Sequence, residues 1–308
     1  MRWEEVEVGS PGPGQVLVRN TAVGLNFIDV YQRTGLYPNA LPLTLGMEGA
    51  GVVEAVGPKV KEFKVGDRVA YANPIGSYAE VCLRPVERLV KIPAGVSDRI
   101  AAAIMLKGMT AWYLVKRTYK VRKGDTILVH AAAGGVGQIL CQWAKHLGAT
   151  VIGTVGSDEK APLAKKAGCK HVIVTSREKF VDRVKEITKG KGVPVVYDGV
   201  GKDTFMDSLD CLAPLGMMAS FGNASGAVTQ FNPGVLAQKG SLFLTRPTLF
   251  TYTGKREDLL KAARDLFAVV KNKAVRISIN QTYPLREAAQ AHIDLEARKT
   301  TGSTVLLP

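Results

Sequence analysis

The spacing of apolar and polar positions changes once along the chain. Between residues 14 and 95, short apolar runs alternate with polar positions and are cut by turn residues. QVLVRNTAVGLN alternates, GAGVVEAVG is a β-branched run between glycines, and Val65 to Val69 reads as a turn feeding a strand. That pattern predicts a small, mostly antiparallel β domain. From about residue 98 the rhythm becomes helix, strand, helix, strand. DRIAAAIMLKGMTAWYLVKRT is helical in composition, with Gly108 placed to break it. TILVH, TVIGTV, HVIVT, VPVVYD and GMMASFG are short apolar runs, most with helical segments between them. After TILVH, the residues Val136, Ile139, Leu140, Trp143 and Leu147 recur at the spacing of one buried helix face. Nearly all-apolar strands alternating with helices predict a parallel sheet covered on both faces.

After about residue 254 comes a further amphipathic helix, around Leu259, Leu260, Ala263, Leu266, Phe267 and Val270. A strand near Arg276 to Ile279, a helix opened by Pro284 and the terminal run Thr304 to Leu307 follow. This tail is expected to rejoin the β domain. The chain then divides into residues 1–108 completed by 255–308, and residues 109–254.

A length of 308 residues exceeds what one hydrophobic core usually fills, which agrees with two domains. No apolar run approaches the ~20 residues that cross a bilayer. The start, MRWEEVEVGS, lacks the basic and apolar regions of a signal peptide. A soluble cytoplasmic protein without membrane contact is expected. Cys82, Cys141, Cys169 and Cys211 are far apart in sequence, so no CxxC motif exists and reduced, mostly buried thiols are expected. The net charge of +14 is spread along the chain; an anionic cofactor, a nucleic acid or a lysine-rich surface would each account for it.

Ala131-Ala132-Ala133-Gly134-Gly135-Val136-Gly137 stands between a strand and an amphipathic helix, with a second strand next. In a dinucleotide fold this turn brings backbone N–H groups against a pyrophosphate at a helix N-terminus, and side chains there would hold the phosphates away. Against G-x-G-x-x-G, Ala132 replaces the first glycine. The second strand ends Gly153-Thr154-Val155-Gly156-Ser157. An NAD enzyme places a carboxylate there for the ribose 2′-hydroxyl; here Val155 holds the place and Lys160 follows. NADPH is the expected cofactor. Asp158 and Glu159 leave NADH open, since a slight shift of register brings one of them to the ribose.

Further motifs run through the chain. They are Asn26-Phe27-Ile28-Asp29, Arg33 to Pro38, Gly46-Met47-Glu48-Gly49-Ala50-Gly51, Leu106 to Thr110, His130 to Gly137, Tyr197 to Gly201, and Ser220 to Asn223. With them the whole chain resembles the quinone oxidoreductase (zeta-crystallin-like) family of zinc-free medium-chain dehydrogenases. The resemblance implies an α/β chain: a GroES-like, mostly-β domain plus a Rossmann domain with a doubly wound parallel sheet. It also implies an active site in the cleft between them, and a homodimer through Rossmann edge strands such as Lys239 to Leu249. Zinc-dependent relatives hold their metal with a cysteine and a histidine where Asn26 and Met47 stand here, so a metal-free site is implied. Two departures are visible. Relatives normally begin with one more strand and a Gly-Gly-Pro turn, whose lack would weaken the β domain. They also carry a tyrosine, thought to pack near the adenosine, where Ser176 stands beside Arg177.

The implied catalytic set is Asn26 and Asp29 at the nicotinamide, with Tyr31 and Tyr37 to orient or protonate an acceptor oxygen. Tyr37, before Pro38, is equally a structural aromatic. The implied cofactor set is Lys107, Thr110, Ala133, Gly134, Gly135, Val136, Gly153, Gly156, Ser157, Lys160, Ser176, Val200, Phe221, Asn223, Phe243 and Arg298. Lys107 serves equally as an ion-pair residue locking the domains. His130 reads as structural, and His146, His171 and His292 as helix-surface or loop-junction residues. The expected reaction passes reducing equivalents from NADPH to a quinone. The alternatives are reduction of α,β-unsaturated ketones or aldehydes, AU-rich RNA binding reported for family members, and a crystallin-like role.

Overall fold

Alternation carries residues Gln15–Leu25 into an eleven-residue strand, β1, whose Val16, Val18 and Val23 side chains are fully buried. The computed structural model describes residues 1–308. Helix α1 (Phe27–Arg33) follows β1, opened by a capping box between Asn26 and Asp29. Then come β2 (Glu48–Val56), β3 (Arg68–Ala72), β4 (Val81–Pro85) and β5 (Leu89–Lys91). β1 pairs antiparallel with both β2 and β4.

Helix α2 (Asp98–Tyr113) runs through Gly108, contrary to the expected break, and continues as one π-helical stretch, Leu114–Thr118. Packing explains the residue. A Cβ at Gly108 would lie 2.6 Å from Leu266 Cδ1, so the glycine admits a neighbouring helix. The helical cost of about 1 kcal/mol is offset by that approach.

Beyond α2, strands and helices alternate: β6 (Thr126–Val129), α3 (Gly135–His146), β7 (Thr150–Val155), α4 (Ala161–Lys166), β8 (His171–Val174) and α5 (Phe180–Thr188). They continue as β9 (Val193–Asp198), α6 (Phe205–Leu209), β10 (Leu212–Ser220), α7 (Gly234–Gln238), β11 (Phe243–Thr245) and α8 (Leu249–Tyr252). The strand order is β11-β10-β9-β6-β7-β8, parallel throughout. Counted from β6, that is the Rossmann order 3-2-1-4-5-6, whose chain reversal lies between β6 and β9. Leu128, Ile152, Ile173, Val184, Val196 and Met218 fill the core between sheet and helices.

The tail forms α9 (Arg256–Lys271), β12 (Ile279–Pro284), α10 (Ala288–Glu296) and β13 (Ser303–Leu307). β13 pairs antiparallel with β1, and β12 pairs parallel with β13, closing a seven-stranded sheet. Two compact units result. One holds Met1–Met109, Tyr252–Lys271 and Ile277–Pro308; the other holds Thr110–Thr251 and Asn272–Arg276. No helix is long and apolar enough to cross a membrane.

Candidate functional site

In the Rossmann unit, the loop after β6 is shaped by backbone contacts. Ala131 takes a positive φ of 50°, so the tight turn falls on an alanine rather than on a glycine. Ala132 N donates to Thr154 O (2.9 Å), and Gly134 N donates to Ala131 O (2.9 Å). Gly134 is the N-cap of α3. A Cβ at Gly137 would lie 2.2 Å from Ala131 O, a backbone atom that cannot yield. Gln138 Nε2 donates to Ala133 O (2.8 Å) and pins the loop from the helix side. Ala133, Gly134, Gly135 and Val136 thus surround a helix start whose first N–H groups have no intrahelical acceptor, a setting suited to an anion.

One strand over, β7 ends at Val155, which is buried. Gly153 is buried within this strand, Gly156 is exposed, and Ser157 caps the short turn that carries Lys160. The two nearby acids are engaged. Asp158 Oδ1 pairs with Arg177 NH2 (2.9 Å), and a hydrogen bond from Ser157 holds the Glu159 carboxyl below its ordinary value. Ser176, exposed in the loop after β8, stands beside Arg177.

On the other side of β6, the loops after β9 and β10 are tied together. Ser225 N donates to Val200 O (2.8 Å), Ala224 N to Gly199 O (3.2 Å) and Phe221 N to Asp198 O (2.7 Å). This brings Val200, Phe221 and Asn223 to adjoining loops. Asp198 organises them, a role that sequence reasoning missed. Its Oδ1 accepts Val200 N (2.7 Å) and Gly201 N (3.1 Å), and its Oδ2 accepts Thr204 Oγ1 (2.7 Å). Ser208 Oγ lies 3.3 Å from Asp198 Oδ2 and 2.9 Å from His130 Nε2, while His130 Nδ1 is 2.8 Å from Thr154 Oγ1. Burial pushes the His130 pKa down, so the ring is a neutral strut. Phe243 stands apart on edge strand β11, 57% exposed.

The β unit gathers a second set. Glu48, fully buried, accepts Lys107 Nζ (2.7 Å) and Asn26 Nδ2 (3.0 Å) on Oε1, and Leu106 N (2.6 Å) on Oε2. Asn26 is therefore held by its amide, and the Lys107 ammonium is engaged by a carboxylate. Thr110 lies one turn along α2 from Leu106 and Lys107, half-buried. Tyr31 and Tyr37 meet edge to face with centroids 5.3 Å apart, and Tyr37 N donates to Tyr31 O (3.0 Å). Arg298, exposed, follows α10 with a positive φ of 60°.

Asp29 is also fully buried. Its Oδ2 accepts Asn26 N (2.8 Å) and Tyr78 Oη (3.0 Å), while its Oδ1 has no partner. His292, expected at a surface or loop junction, is instead fully buried, with Nε2 3.0 Å from Tyr78 Oη and Nδ1 3.4 Å from Arg33 NH1. Arg33 can only donate, so Nδ1 accepts, Nε2–H donates to Tyr78, and Tyr78 donates to Asp29. Glu296 closes the chain with Arg33 NH2 (2.6 Å).

Burial pushes the Asp29 pKa up to about 7, and burial with the Arg33 charge pushes His292 down to about 4. For Asp29, the folded value above the unfolded one means stability present below about pH 4 and lost as pH rises through about 7. For His292 the sign reverses: stability is present above about pH 6.5 and lost as pH falls towards about 4. Asp29→Asn should therefore gain stability relative to the parent as pH rises across this window, by at most ~1.4 kcal/mol per pH unit. His292→Gln should gain as pH falls. Urea unfolding at stepped pH reads both slopes; parallel curves for variant and parent would refute the assignment.

Residues 12–94 match the family model of the alcohol dehydrogenase GroES-like domain, and residues 135–267 match that of zinc-binding dehydrogenase. The chain is 56% identical to the Pseudomonas aeruginosa quinone oxidoreductase over 310 aligned positions, covering 100% of this chain and 95% of that one. It is 51% identical to the 2-haloacrylate reductase of a Burkholderia species, over 99% and 94% of the two chains. A crystal structure of Escherichia coli quinone oxidoreductase complexed with NADPH aligns with a TM-score of 0.97 at 49% identity, over 99% of this chain and 95% of that one. The residues present do not fit zinc. Asn26 is committed to Glu48, Met47 Sδ accepts Gln32 Nε2 (3.2 Å), and no three His, Cys, Asp or Glu side chains form a metal-binding group.

Proposed function

The chain belongs to the quinone oxidoreductase family, and from that premise we propose that it is a zinc-independent, NADPH-dependent quinone reductase. The observation that carries the cofactor half is the end of β7. A buried Val155 stands where a ribose-binding carboxylate would be, and Asp158 is drawn off by Arg177. A 2′-phosphate meets no free acid there, since Arg177 holds Asp158 and Ser157 holds Glu159, and Lys160 supplies a cation.

The N–H groups opening α3 at Gly134 to Val136 hold the pyrophosphate, and Val200, Phe221 and Asn223 receive the nicotinamide end. Once bound, the cofactor supplies a hydride equivalent. Asn26, fixed through Glu48, and the Tyr31–Tyr37 pair orient the acceptor oxygen. Asp29, pushed up to about 7 by burial, is protonated in about half of the molecules near neutral pH, with its unpartnered Oδ1 at the end of a chain of donors leading back through Tyr78 to His292. A quinone suits this set, because its reduced anion is stable enough to take its proton late. The Burkholderia relative favours a second reading, reduction of an electron-poor C=C by the same cofactor. We also propose a cytoplasmic homodimer joined at β11, the outer strand of its sheet, where Phe243 is 57% exposed.

Absorbance at the nicotinamide band tests the proposal, with 1,4-benzoquinone, 9,10-phenanthrenequinone, 2-chloroacrylate and a simple enone as acceptors. Quinone turnover should dominate. NADPH should bind at least about tenfold tighter than NADH, a difference of ~1.4 kcal/mol. Alkene-dominated turnover would install the second reading, and absence of turnover despite tight NADPH binding would sink both.

A further inference from the structure

Cys141 and Cys169 lie side by side in the Rossmann unit with Sγ atoms 3.5 Å apart. They are 28 positions apart in sequence and belong to different elements: Cys141 is in α3, and Cys169 is in the connection between α4 and β8. The other two thiols have no such neighbour; Cys82 contacts Asn20 and Tyr71, and Cys211 contacts the Asp207 carbonyl. Cys169, 6% exposed, lines a cavity of about 320 Å³ edged by Lys145, Lys165 and Lys170. Cys141 is fully buried behind it. Reactive cysteines occupy electropositive settings that solvent can reach, whereas enclosed ones are inert. Cys169, though buried, borders a lysine-edged opening to solvent, and Cys141 is enclosed behind it.

We propose that Cys141 and Cys169 form a redox-active dithiol, oxidised to an intramolecular disulfide by hydroperoxides that enter through the lysine-edged cavity, and that this oxidation weakens nucleotide binding. Cys169, the thiol at the cavity, reacts first. Its sulfur displaces hydroxide from the peroxide O–O bond and becomes a sulfenic acid. The Cys141 sulfur then attacks the Cys169 sulfur, the S–S bond forms, and water leaves. Two thiols and one hydrogen peroxide give one disulfide and two waters. The contact with Cys169 and burial push the Cys141 thiol well above its ordinary value, and Cys141 has no opening of its own to solvent, so Cys169 is the sulfur a peroxide meets first. A hydroquinone, the product of the reaction proposed above, is reoxidised by dioxygen to the quinone with release of one hydrogen peroxide, and this second step supplies the oxidant.

Coupling to the nucleotide loop runs through Gly153 in β7. A Cβ there would lie 2.5 Å from Cys169 Sγ and 2.8 Å from Ala132 Cβ, so thiol and loop press on one spot of backbone. A disulfide requires the sulfurs to close from 3.5 Å to ~2.05 Å. That pull acts on α3, whose first turn begins at the loop. Hydrogen bonds to a charged group weaken steeply when their geometry is disturbed, and loss of one from the pyrophosphate costs about ten- to a hundredfold in affinity.

The affinity claim rests on the nucleotide-binding reading, whereas the thiol chemistry is read separately. The full-length protein is treated with hydrogen peroxide, digested and mapped by mass spectrometry, and NADPH affinity is measured by fluorescence before oxidation, after it, and after dithiothreitol. The expected result is one Cys141–Cys169 peptide pair lacking two hydrogens, a rise of at least about tenfold in NADPH Kd, and recovery on reduction. Cys169→Ala and Cys141→Ala should each abolish the pair and the peroxide response while retaining NADPH binding. The mapping of the parent protein needs neither variant to fold. Two free thiols after oxidation, a Cys169 sulfinic acid without the pair, or a disulfide that leaves Kd unchanged would overturn the proposal. Failure of the reduced protein to bind NADPH would instead overturn the function proposed for it.

Discussion

Glu48→Ala should destabilise the chain by about 3–5 kcal/mol, because it leaves a buried ammonium without a counter-ion. The carboxylate is fully buried and Lys107 is 7% exposed, so water cannot replace what is removed. Three donors lose the carboxylate together: Lys107 Nζ, Leu106 N and Asn26 Nδ2, the last keeping only a long 3.4 Å contact to Gly24 O. A surface ion pair would cost well under 1 kcal/mol, and burial decides between the two figures. Removing both charges separates the pair's own worth from the cost of breaking it. Glu48→Leu with Lys107→Met should recover only part of the lost stability, since replacing a buried pair by apolar side chains is often neutral but the Asn26 and Leu106 donors still lack the carboxylate. The double variant still deprives Asn26 of the carboxylate that fixes it, leaving only the 3.4 Å contact to Gly24 O, so quinone turnover should stay low while NADPH affinity is kept. Urea midpoints at an unchanged slope measure the stabilities. A single-variant loss under about 1 kcal/mol would show that Lys107 reaches solvent by a small movement.

The parts of this molecule legible in its sequence are those that a local pattern dictates. Period-2 alternation in Gln15–Leu25 gives a half-buried strand, and the apolar runs of β6, β7 and β9 give buried parallel ones, because neighbours two or four positions apart carry that information. The glycine loop was legible for the same reason, as strand, turn and helix start lie within a dozen residues. Even there the sequence misleads about which residue turns, since Ala131 takes the positive φ that glycine usually provides. Gly108 misled in the opposite way. Helix propensity reads it as a break, and only the distant Leu266 reveals a packing notch. Contacts over long separations left no trace at all. Tyr78 meets Asp29 across 49 positions and His292 across 214, so no spacing betrays that chain of donors. Asp198 was visible only as part of Tyr-Asp-Gly-Val-Gly; its grip on two loop N–H groups and on Thr204 depends on how β9 ends.

Gly137→Ala should raise NADPH Kd by about a hundredfold while leaving the chain folded. Two effects of the methyl oppose each other. In a helix interior, alanine is worth up to about 1 kcal/mol more than glycine, which favours the variant. Against this, the new Cβ would stand 2.2 Å from Ala131 O and 2.9 Å from Ala132 Cα. Neither atom is a flexible side-chain end, so α3 and the loop must separate. The fold can absorb a local shift within a unit that has a large core, but the N–H groups at Gly134 to Val136 cannot keep their positions against a pyrophosphate. Losing one or two N–H bonds to the charged pyrophosphate, each worth ~1.5–3 kcal/mol, costs affinity about a hundredfold, roughly 2.7 kcal/mol. Gly156→Ala supplies the contrast. A Cβ there meets nothing within 4 Å, so the unliganded protein tolerates it, and any loss of affinity reports contact with the nucleotide itself. Fluorescence titration with NADPH and circular dichroism distinguish the two mechanisms. A Gly137→Ala protein that binds within about twofold of the parent would mean that the loop after β6 does not hold the phosphates, and the cofactor site would have to be sought elsewhere.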